Sequence, residues 1–308
     1  MGKRKKKRIR IKKKNFILFI LFLILLFYAI SKIIYITIKL IETSKPIEKE
    51  EPKVIEKTLT PTEKKLKELD NINKKIDYFH MDYLDRYLNY KEKNEDLEII
   101  QIIKNVNMNL DYNYYENTEK ALNKDTPLIL VNKHYSLEEN DIPNNLETVS
   151  NNYALDDVKL VSIAKEAFES LAKDAQKENL NIVGMSGYRS YQYQTNLYNN
   201  YVNKDGKEAA DTYSGRPGHS EHQTGYALDV YNLKENYTNF ENTKEFTWMQ
   251  EHAQDYGFIL RFPKNKELET GYIYESWHYR YVGVEVAKEI KEKGITLEEY
   301  IATRPIQQ

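Results

Sequence analysis

The chain has no cysteine, and glycine and proline are scarce, with 11 and 8 of them among 308 residues. Without cysteine it can form neither a disulfide bond nor a thiolate metal site. The part of the chain after position 41 is acidic, because it contains 34 basic and 47 acidic side chains. Phosphate contacts need a basic surface, so this acidic body argues against nucleic-acid binding.

The composition supports a buried core. Hydrophobic residues make up 41% of the chain and aromatic residues 12%, which argues against global disorder. The length fits one ordinary globular domain with attachments.

The N-terminus has a different composition from the rest. Residues 1–41 carry twelve Lys or Arg and no acid, and an apolar run begins at Phe16. We predict a cytoplasmic basic tail over residues 1–14 and a transmembrane anchor over residues 15–41. The positive-inside rule then predicts a single-pass protein of the cell membrane whose main domain is extracellular. A cleaved signal peptide is the alternative, although the run is long for one and no clear small-residue cleavage site follows.

The remainder divides into a charged spacer over residues 42–77 and a globular domain over residues 78–308. In the spacer, Thr62 is expected to cap a short helix. Periodicity and turn residues in the domain predict helices and strands without regular alternation, which favours an α+β fold. The predicted helices are Leu155–Glu178, Tyr191–Val202, a helix from Thr243 to Tyr256, and a last helix Val284–Lys293. The predicted strands are Pro127–Asn132, Ile182–Met185, Tyr226–Tyr231, Phe258–Phe262 and Ser276–Val282.

Two short segments place histidine near a carboxylate. His222 lies seven residues before Asp229, and Glu275 lies three residues before His278. Two imidazoles and one carboxylate would leave a position open on Zn²⁺, as at a catalytic site, and another carboxylate could act as base. Spacing alone also allows solvated histidines and a turn aspartate. Residues three apart on a strand face opposite sides, so Glu275 must lie on a bend before His278.

Four motifs make the chain recognisable. SGYRS (186–190), RPGHSEHQTGYALDV (216–230), GFILRFP (257–263) and ESWHYRYVG (275–283) together resemble the VanY-type zinc D-alanyl-D-alanine carboxypeptidases, an LD/DD-carboxypeptidase family of cell-wall peptidases. The resemblance implies a small antiparallel sheet flanked by helices, of the Hedgehog/DD-peptidase type. It further implies a zinc-dependent enzyme that removes the C-terminal D-alanine from peptidoglycan stem peptides. The predicted membrane anchor and spacer suit such an enzyme, and we expect it to be a monomer.

The resemblance also assigns roles to individual residues. It implies that His222, Asp229 and His278 bind Zn²⁺ and that Glu275 is the catalytic base. Arg189 matches a residue that holds the terminal carboxylate of the substrate. Gln194 and Ser220 match positions near the substrate. Tyr226 departs from the family's smaller or aliphatic residue, so we expect it to alter the pocket wall.

Three alternatives stay open. The first is an L,D-carboxypeptidase acting on tetrapeptide stems. The second is a serine peptidase of the penicillin-binding type, because S-x-x-K occurs at Ser162–Lys165 and Ser170–Lys173, although no K-T-G segment accompanies it. The third is a non-catalytic module that binds the cell wall.

Overall fold

The computed structural model describes residues 13–42, 76–234 and 236–305. The chain divides into two units, Met1–Thr58 and Leu59–Gln308, which are described separately. Residues 1–12 of the predicted tail and nearly all of the predicted spacer, with its helix after Thr62, lie outside the described residues.

The first unit contains helix α1, Lys13–Glu42. The predicted anchor over residues 15–41 is therefore helical. Among the residues that the structure describes, no helix combines the length and the apolar character needed to cross a membrane.

In the second unit, the helices lie before, between and after the strands. They are α2 (Leu84–Lys93), α3 (Ile99–Asn107), α4 (Ser162–Lys177), α5 (Tyr191–Asp205), α6 (Lys207–Tyr213), α7 (Lys244–His252), α8 (Glu267–Thr270), α9 (Val284–Lys293) and α10 (Leu297–Ala302). Short 3₁₀ helices span Met81–Tyr83, Glu221–Thr224, Tyr237–Asn242 and Ala253–Tyr256.

The strands of this unit form three small sheets within the described ranges. They are β1 (Glu119–Lys120), β2 (Tyr135–Ser136), β3 (Leu146–Thr148), β4 (Lys159–Val161), β5 (Val183–Ser186), β6 (Ala227–Tyr231), β7 (Phe258–Leu260) and β8 (His278–Tyr281). The largest sheet has the order β5-β6-β8-β7 and is antiparallel throughout. β1 and β2 are parallel, and β3 pairs antiparallel with β4.

Helix α4 supplies much of the core beside the four-stranded sheet. Its buried residues recur at helical spacing and are Ala164, Phe168, Leu171, Ala172 and Ala175. They share one apolar cluster with Leu228 and Val230 of β6 and Phe258 of β7. Burial of a side chain such as Leu171 stabilises the fold by about 1.5–3 kcal/mol. The α+β class and the small antiparallel sheet flanked by helices are thus confirmed.

Most of the predicted elements around the later motifs are confirmed. The strands near Ile182, Tyr226, Phe258 and Ser276 and the helix from Tyr191 are present with shifted ends. Thr243 does cap its helix, since its side chain accepts a hydrogen bond from the Phe246 N–H. The segment ends at Gly257, whose positive φ of 83° is reached easily only by glycine.

Three predictions about elements are wrong. Pro127–Asn132 is not a strand, and only an isolated bridge joins Leu130 to Leu122. The helix predicted from Leu155 begins at Ser162, because residues 159–161 form β4 and pair with β3. The helix Val284–Lys293 is confirmed with the predicted bounds, but it is not the last one, since Thr296 caps α10 by accepting a hydrogen bond from the Glu299 N–H.

Candidate active site

The sheet register brings two of the predicted site residues side by side. Asp229 lies on β6, where it pairs with Ser186 on β5 and with His278 on β8. Leu228 and Val230, its neighbours on β6, belong to the apolar core. Because side chains alternate along a strand, Asp229 points to the opposite face of the sheet. There its carboxylate meets the His278 ring.

His222 reaches the same place from the 3₁₀ helix that precedes β6. Its Nδ1 lies 2.7 Å from the carbonyl oxygen of Gly187, and its own carbonyl accepts a 3.1 Å hydrogen bond from the Arg189 N–H. Gly187 has no room for a side chain, since an added Cβ would overlap the Lys159 carbonyl oxygen. The loop after β5 therefore fixes the His222 ring through close backbone contacts.

His222, Asp229 and His278 converge as metal ligands would. Their ligand atoms all lie within 4.8 Å of one another, and all three residues are buried. Nε2 of His222 lies 3.4 Å from one carboxylate oxygen of Asp229, and Nδ1 of His278 lies 3.1 Å from the other, Oδ1. Among the described residues Oδ1 nevertheless makes no hydrogen bond. A buried oxygen without a partner is costly, and two imidazoles with a carboxylate suit zinc, so the group fits a metal ion.

Electrostatics keep the Asp229 carboxylate ionised. Burial raises the pKa of Asp229, but His222 and Arg189 outweigh that effect and hold it well below the usual range. The Arg189 guanidinium donates a 2.6 Å hydrogen bond to Oδ2 of Asp229 and a 2.9 Å bond to the Ser186 hydroxyl.

Glu275 lies next to this group on a turn. Its carbonyl accepts a hydrogen bond from the His278 N–H, which closes the turn directly before β8. The bend required by the spacing is thus present. The Glu275 carboxylate lies 3.6 Å from Nδ1 of His278. Burial is the main cause that raises the pKa of Glu275 to about 8. The Asp229 carboxylate adds to this shift, whereas His278 and Arg189 oppose it.

One cleft of about 480 Å³ unites the predicted site residues. It is lined by Arg189, Gln194, Ser220, His222, Asp229, Glu275 and His278, among others. Gln194 is 1% exposed and donates to the Gly215 carbonyl at 2.7 Å, while its Oε1 has no partner among the described residues.

The sequence patterns do not predict the buried ion network that lies behind His278. Glu221 accepts hydrogen bonds from Arg261 at 2.8 Å and from Arg280 at 2.7 Å, and Arg261 also binds Glu298 at 2.6 and 2.8 Å. Burial lowers the pKa of His278, but the nearby carboxylates of Asp229 and Glu221 outweigh it and raise the pKa to about 9. The available signal was charge inside apolar strand patterns, such as Arg261 after Phe258–Leu260 and Arg280 within β8.

Tyr226, His219 and the serines of the S-x-x-K matches are not part of the predicted site. Tyr226 stacks on Tyr281 and lines a separate cavity of about 220 Å³, so its expected effect on the wall of the active-site cleft is wrong. His219 lines the cleft, with Nδ1 2.7 Å from the Asn132 carbonyl oxygen. The serines of the two S-x-x-K matches lie on α4, where Ser170 donates to the carbonyl of Glu166 within the helix.

Comparison with known sequences identifies similar proteins. The VanY family model, described as D-alanyl-D-alanine carboxypeptidase, matches residues 157–284. The chain is 38% identical over 197 residues to YodJ of Bacillus subtilis (strain 168), a provisionally named carboxypeptidase, and the match covers 62% of this chain and 72% of YodJ. It is 34% identical over 183 residues to a D-alanyl-D-alanine carboxypeptidase of Enterococcus faecium, covering 56% of this chain and 57% of the relative.

Solved structures resemble this chain as well. The LD-carboxypeptidase LdcB matches with a TM-score of 0.57 at 37% identity, covering 61% of this chain and 91% of LdcB. VanYB bound to D-alanine-D-alanine matches with a TM-score of 0.51 at 31% identity, covering 58% of this chain and 98% of VanYB. A VanY D,D-pentapeptidase mutant in complex with Zn(II) matches with a TM-score of 0.50 at 31% identity, covering 57% and 98%.

Proposed function

The chain belongs to the VanY family of D-alanyl-D-alanine carboxypeptidases, and we propose that it is a zinc-dependent enzyme that removes the C-terminal D-alanine from peptidoglycan stem peptides. The observation that carries this proposal is the convergence of His222, Asp229 and His278 in a cleft that also holds Glu275 and Arg189. A binding module would need neither a metal group nor an adjacent base, so this arrangement favours catalysis.

The proposed metal is zinc, held by His222, Asp229 and His278. The residue types suit zinc, and a VanY relative is known in complex with Zn(II). His222 would use Nε2, because its Nδ1 faces the Gly187 carbonyl, and His278 would use Nδ1, which faces Asp229. When bound, zinc supplies a Lewis acid for the scissile carbonyl and lowers the pKa of water.

Glu275 is proposed as the general base. Its carboxylate is buried beside His278, so the attacking water would give up its proton to a group shielded from bulk solvent. The same carboxyl group would then donate the proton to the leaving amine of the D-alanine. Burial raises the pKa of Glu275, which helps the carboxyl group to keep the proton until it passes it to the amine. The positive charge of a bound zinc ion would favour the ionised form of Glu275, which accepts the proton from water.

Arg189 and Gln194 are proposed to bind the end of the peptide. A carboxypeptidase must recognise a free carboxylate, and a guanidinium group can do so with two charge-assisted hydrogen bonds. Arg189 lies in the cleft with its side chain 20% exposed and has one bond to Asp229. Gln194 offers Oε1, which has no hydrogen-bond partner in the described part of the chain, as an acceptor for a substrate N–H, and Ser220 offers a hydroxyl in the same cleft.

The alternative substrate is a tetrapeptide stem. The structural similarity to LdcB, an LD-carboxypeptidase, favours this second function. The two activities differ in the stereocentre that precedes the scissile bond. VanYB bound to D-alanine-D-alanine supports the pentapeptide as the first choice.

The location of the enzyme is proposed from the sequence. The basic residues 3–14 and the apolar run from Phe16 support an uncleaved anchor in the cell membrane, with residues 78–308 outside as a monomeric catalytic domain. This location would place the cleft next to peptidoglycan.

The test of the proposal uses the full-length protein and Glu275→Gln. Metal analysis should find zinc in both proteins, whereas hydrolysis of a stem peptide should be lost only in Glu275→Gln, because the amide cannot accept the water's proton. Glu267→Gln is the matched control, since Glu267 is exposed and eight residues away. Full activity in Glu275→Gln would contradict the mechanism. Inhibition by a β-lactam but not by a chelator would favour a serine peptidase. A wild-type protein that contains no zinc and hydrolyses no stem peptide would favour a binding module.

A further inference from the structure

Glu221 faces the side of His278 that points away from the candidate metal position. It is 4% exposed, and its Oε1 accepts hydrogen bonds from both Arg261 and Arg280. Its other oxygen, Oε2, lies 3.7 Å from Nε2 of His278, which is longer than a hydrogen bond. Both atoms are buried, and neither has a hydrogen-bond partner among the described residues. Neither atom is therefore committed to another hydrogen bond within the part of the chain that the structure describes.

The identity of the protonated nitrogen decides whether His278 can bind a metal. A neutral imidazole carries one proton, and only the other nitrogen has a free lone pair. Nδ1 of His278 lies 3.1 Å from Asp229 and 3.6 Å from Glu275, so it is the nitrogen that faces the metal group. A carboxylate opposite Nε2 favours the proton there and leaves the Nδ1 lone pair free.

His222 provides an independent parallel. Its Nδ1 faces the Gly187 carbonyl oxygen at 2.7 Å, and its Nε2 faces Asp229 at 3.4 Å. In both histidines an oxygen acceptor faces one nitrogen while the other nitrogen points at Asp229. The acceptor is a backbone carbonyl for His222 and a buried carboxylate for His278.

The ion network holds Glu221 in this position. Arg261 is fixed from its other side by both oxygens of Glu298 on α10. Arg280 is fixed by the carbonyls of Pro127 and Ile129, at 2.9 and 2.7 Å. The two arginines occupy Oε1 of Glu221 and leave Oε2 directed at His278.

We propose that Glu221 is a positioning residue that selects the metal-binding tautomer and orientation of His278. It does so by placing its negatively charged Oε2 opposite Nε2, which favours the proton on that nitrogen, while Arg261 and Arg280 hold its carboxylate in place. This inference rests on the proposed function, of which it requires only the metal site. The sequence motif around His222 therefore supplies a ligand and also, one residue earlier, the group that orients a second ligand.

Glu221→Gln tests this role in the full-length protein. The amide oxygen can still accept from the arginines, which turns the amide N–H group toward Nε2 of His278. That donor favours the wrong tautomer, with the proton on Nδ1. We expect the dissociation constant of zinc, measured by competition with a chromophoric chelator, to rise about 10–100-fold. The visible spectrum of the cobalt(II)-loaded protein should change as well, because it reports the ligand geometry directly.

Glu245→Gln is the matched control. Glu245 is another buried glutamate, but it accepts hydrogen bonds from the Asn181 N–H and the Asn232 amide and contacts neither arginine of the network. Zinc affinity and the cobalt spectrum of this variant should therefore stay as in wild type. If Glu221→Gln binds zinc as tightly as wild type, or if Glu245→Gln loses as much affinity, the proposal is overturned.

Glu221→Asp keeps the test decisive if Glu221→Gln does not fold. It retains the charge but withdraws the carboxylate by one methylene, so zinc affinity should again fall, and wild-type affinity would overturn the proposal. A wild-type protein that binds no zinc is a different result, which overturns the proposed function and this inference with it.

Discussion

Replacing Glu298 by glutamine should destabilise the second unit strongly. Glu298 and Glu221 together balance two arginines, Arg261 and Arg280, and all four side chains are at most 4% exposed. Glu298 binds Arg261 through two hydrogen bonds of 2.6 and 2.8 Å and accepts another from Asn132 at 3.1 Å. Glu298→Gln therefore leaves one uncompensated buried positive charge.

The expected loss is about 3–5 kcal/mol in the free energy of unfolding, which is typical when one partner of a buried ion pair is removed. Domains are commonly stable by only about 5–15 kcal/mol, so a substantial part of the stability should disappear. With an m value of about 2–3 kcal/mol per M, the urea midpoint should fall by about 1–2.5 M.

The neighbouring Glu299 offers a control within the same helix. It pairs with Lys104 at 2.7 Å, and the side chains of Lys104 and Glu299 are 26% and 12% exposed. Because pairs with access to solvent contribute only about 0–1 kcal/mol, Glu299→Gln should shift the midpoint little.

Urea unfolding of the full-length protein, with chelator present to remove metal, measures both variants. The two tryptophans, Trp248 and Trp277, lie in the second unit, so their fluorescence reports its unfolding. If Glu298→Gln costs no more than Glu299→Gln, the network does not stabilise the fold as argued.

Four further predictions concern the metal group and the cleft. Asp229→Asn should abolish stoichiometric zinc binding in metal analysis, because the amide is a poor ligand; retained zinc would exclude Asp229 as a ligand. His278 must lose a proton to bind zinc, and its pKa is raised to about 9. As the pH is lowered below 9, zinc affinity measured by chelator competition should therefore fall by up to about tenfold per pH unit. An affinity independent of pH would contradict this. Gly187→Ala should weaken zinc binding in the same assay, since its Cβ would overlap the Lys159 carbonyl oxygen and shift the carbonyl that faces His222; wild-type affinity would show that this contact is dispensable. Arg189→Met should raise KM more than it lowers kcat in steady-state kinetics if Arg189 binds the substrate carboxylate, and an unchanged KM would refute that role.

Local patterns predicted the part of the site that depends on short stretches of chain. The alternation around Asp229 and the bend before His278 follow from the pleat of a strand, and both are present. The capped helix from Thr243 to Gly257 likewise needs only neighbouring residues. The start of α10 also has a local signal, because Thr296 and Glu299 have the spacing of a capping box.

The errors lie where partners are distant in sequence. The helix predicted from Leu155 starts late because residues 159–161 pair with 146–148, which helical periodicity cannot show. The apolar run Pro127–Asn132 is largely buried without strand pairing beyond one bridge. Glu221 and Arg280 are 59 residues apart in the chain, so nothing local indicates that they meet.

The most direct test of the central claim is mass spectrometry of a defined pentapeptide stem after incubation with the zinc-loaded, full-length protein. The account predicts a product lighter by one alanine residue, formed by wild type, absent with chelator and absent with Glu275→Gln. A tetrapeptide stem incubated in parallel distinguishes the L,D activity. If the protein binds zinc but leaves both peptides unchanged, the account of this site as a carboxypeptidase is contradicted.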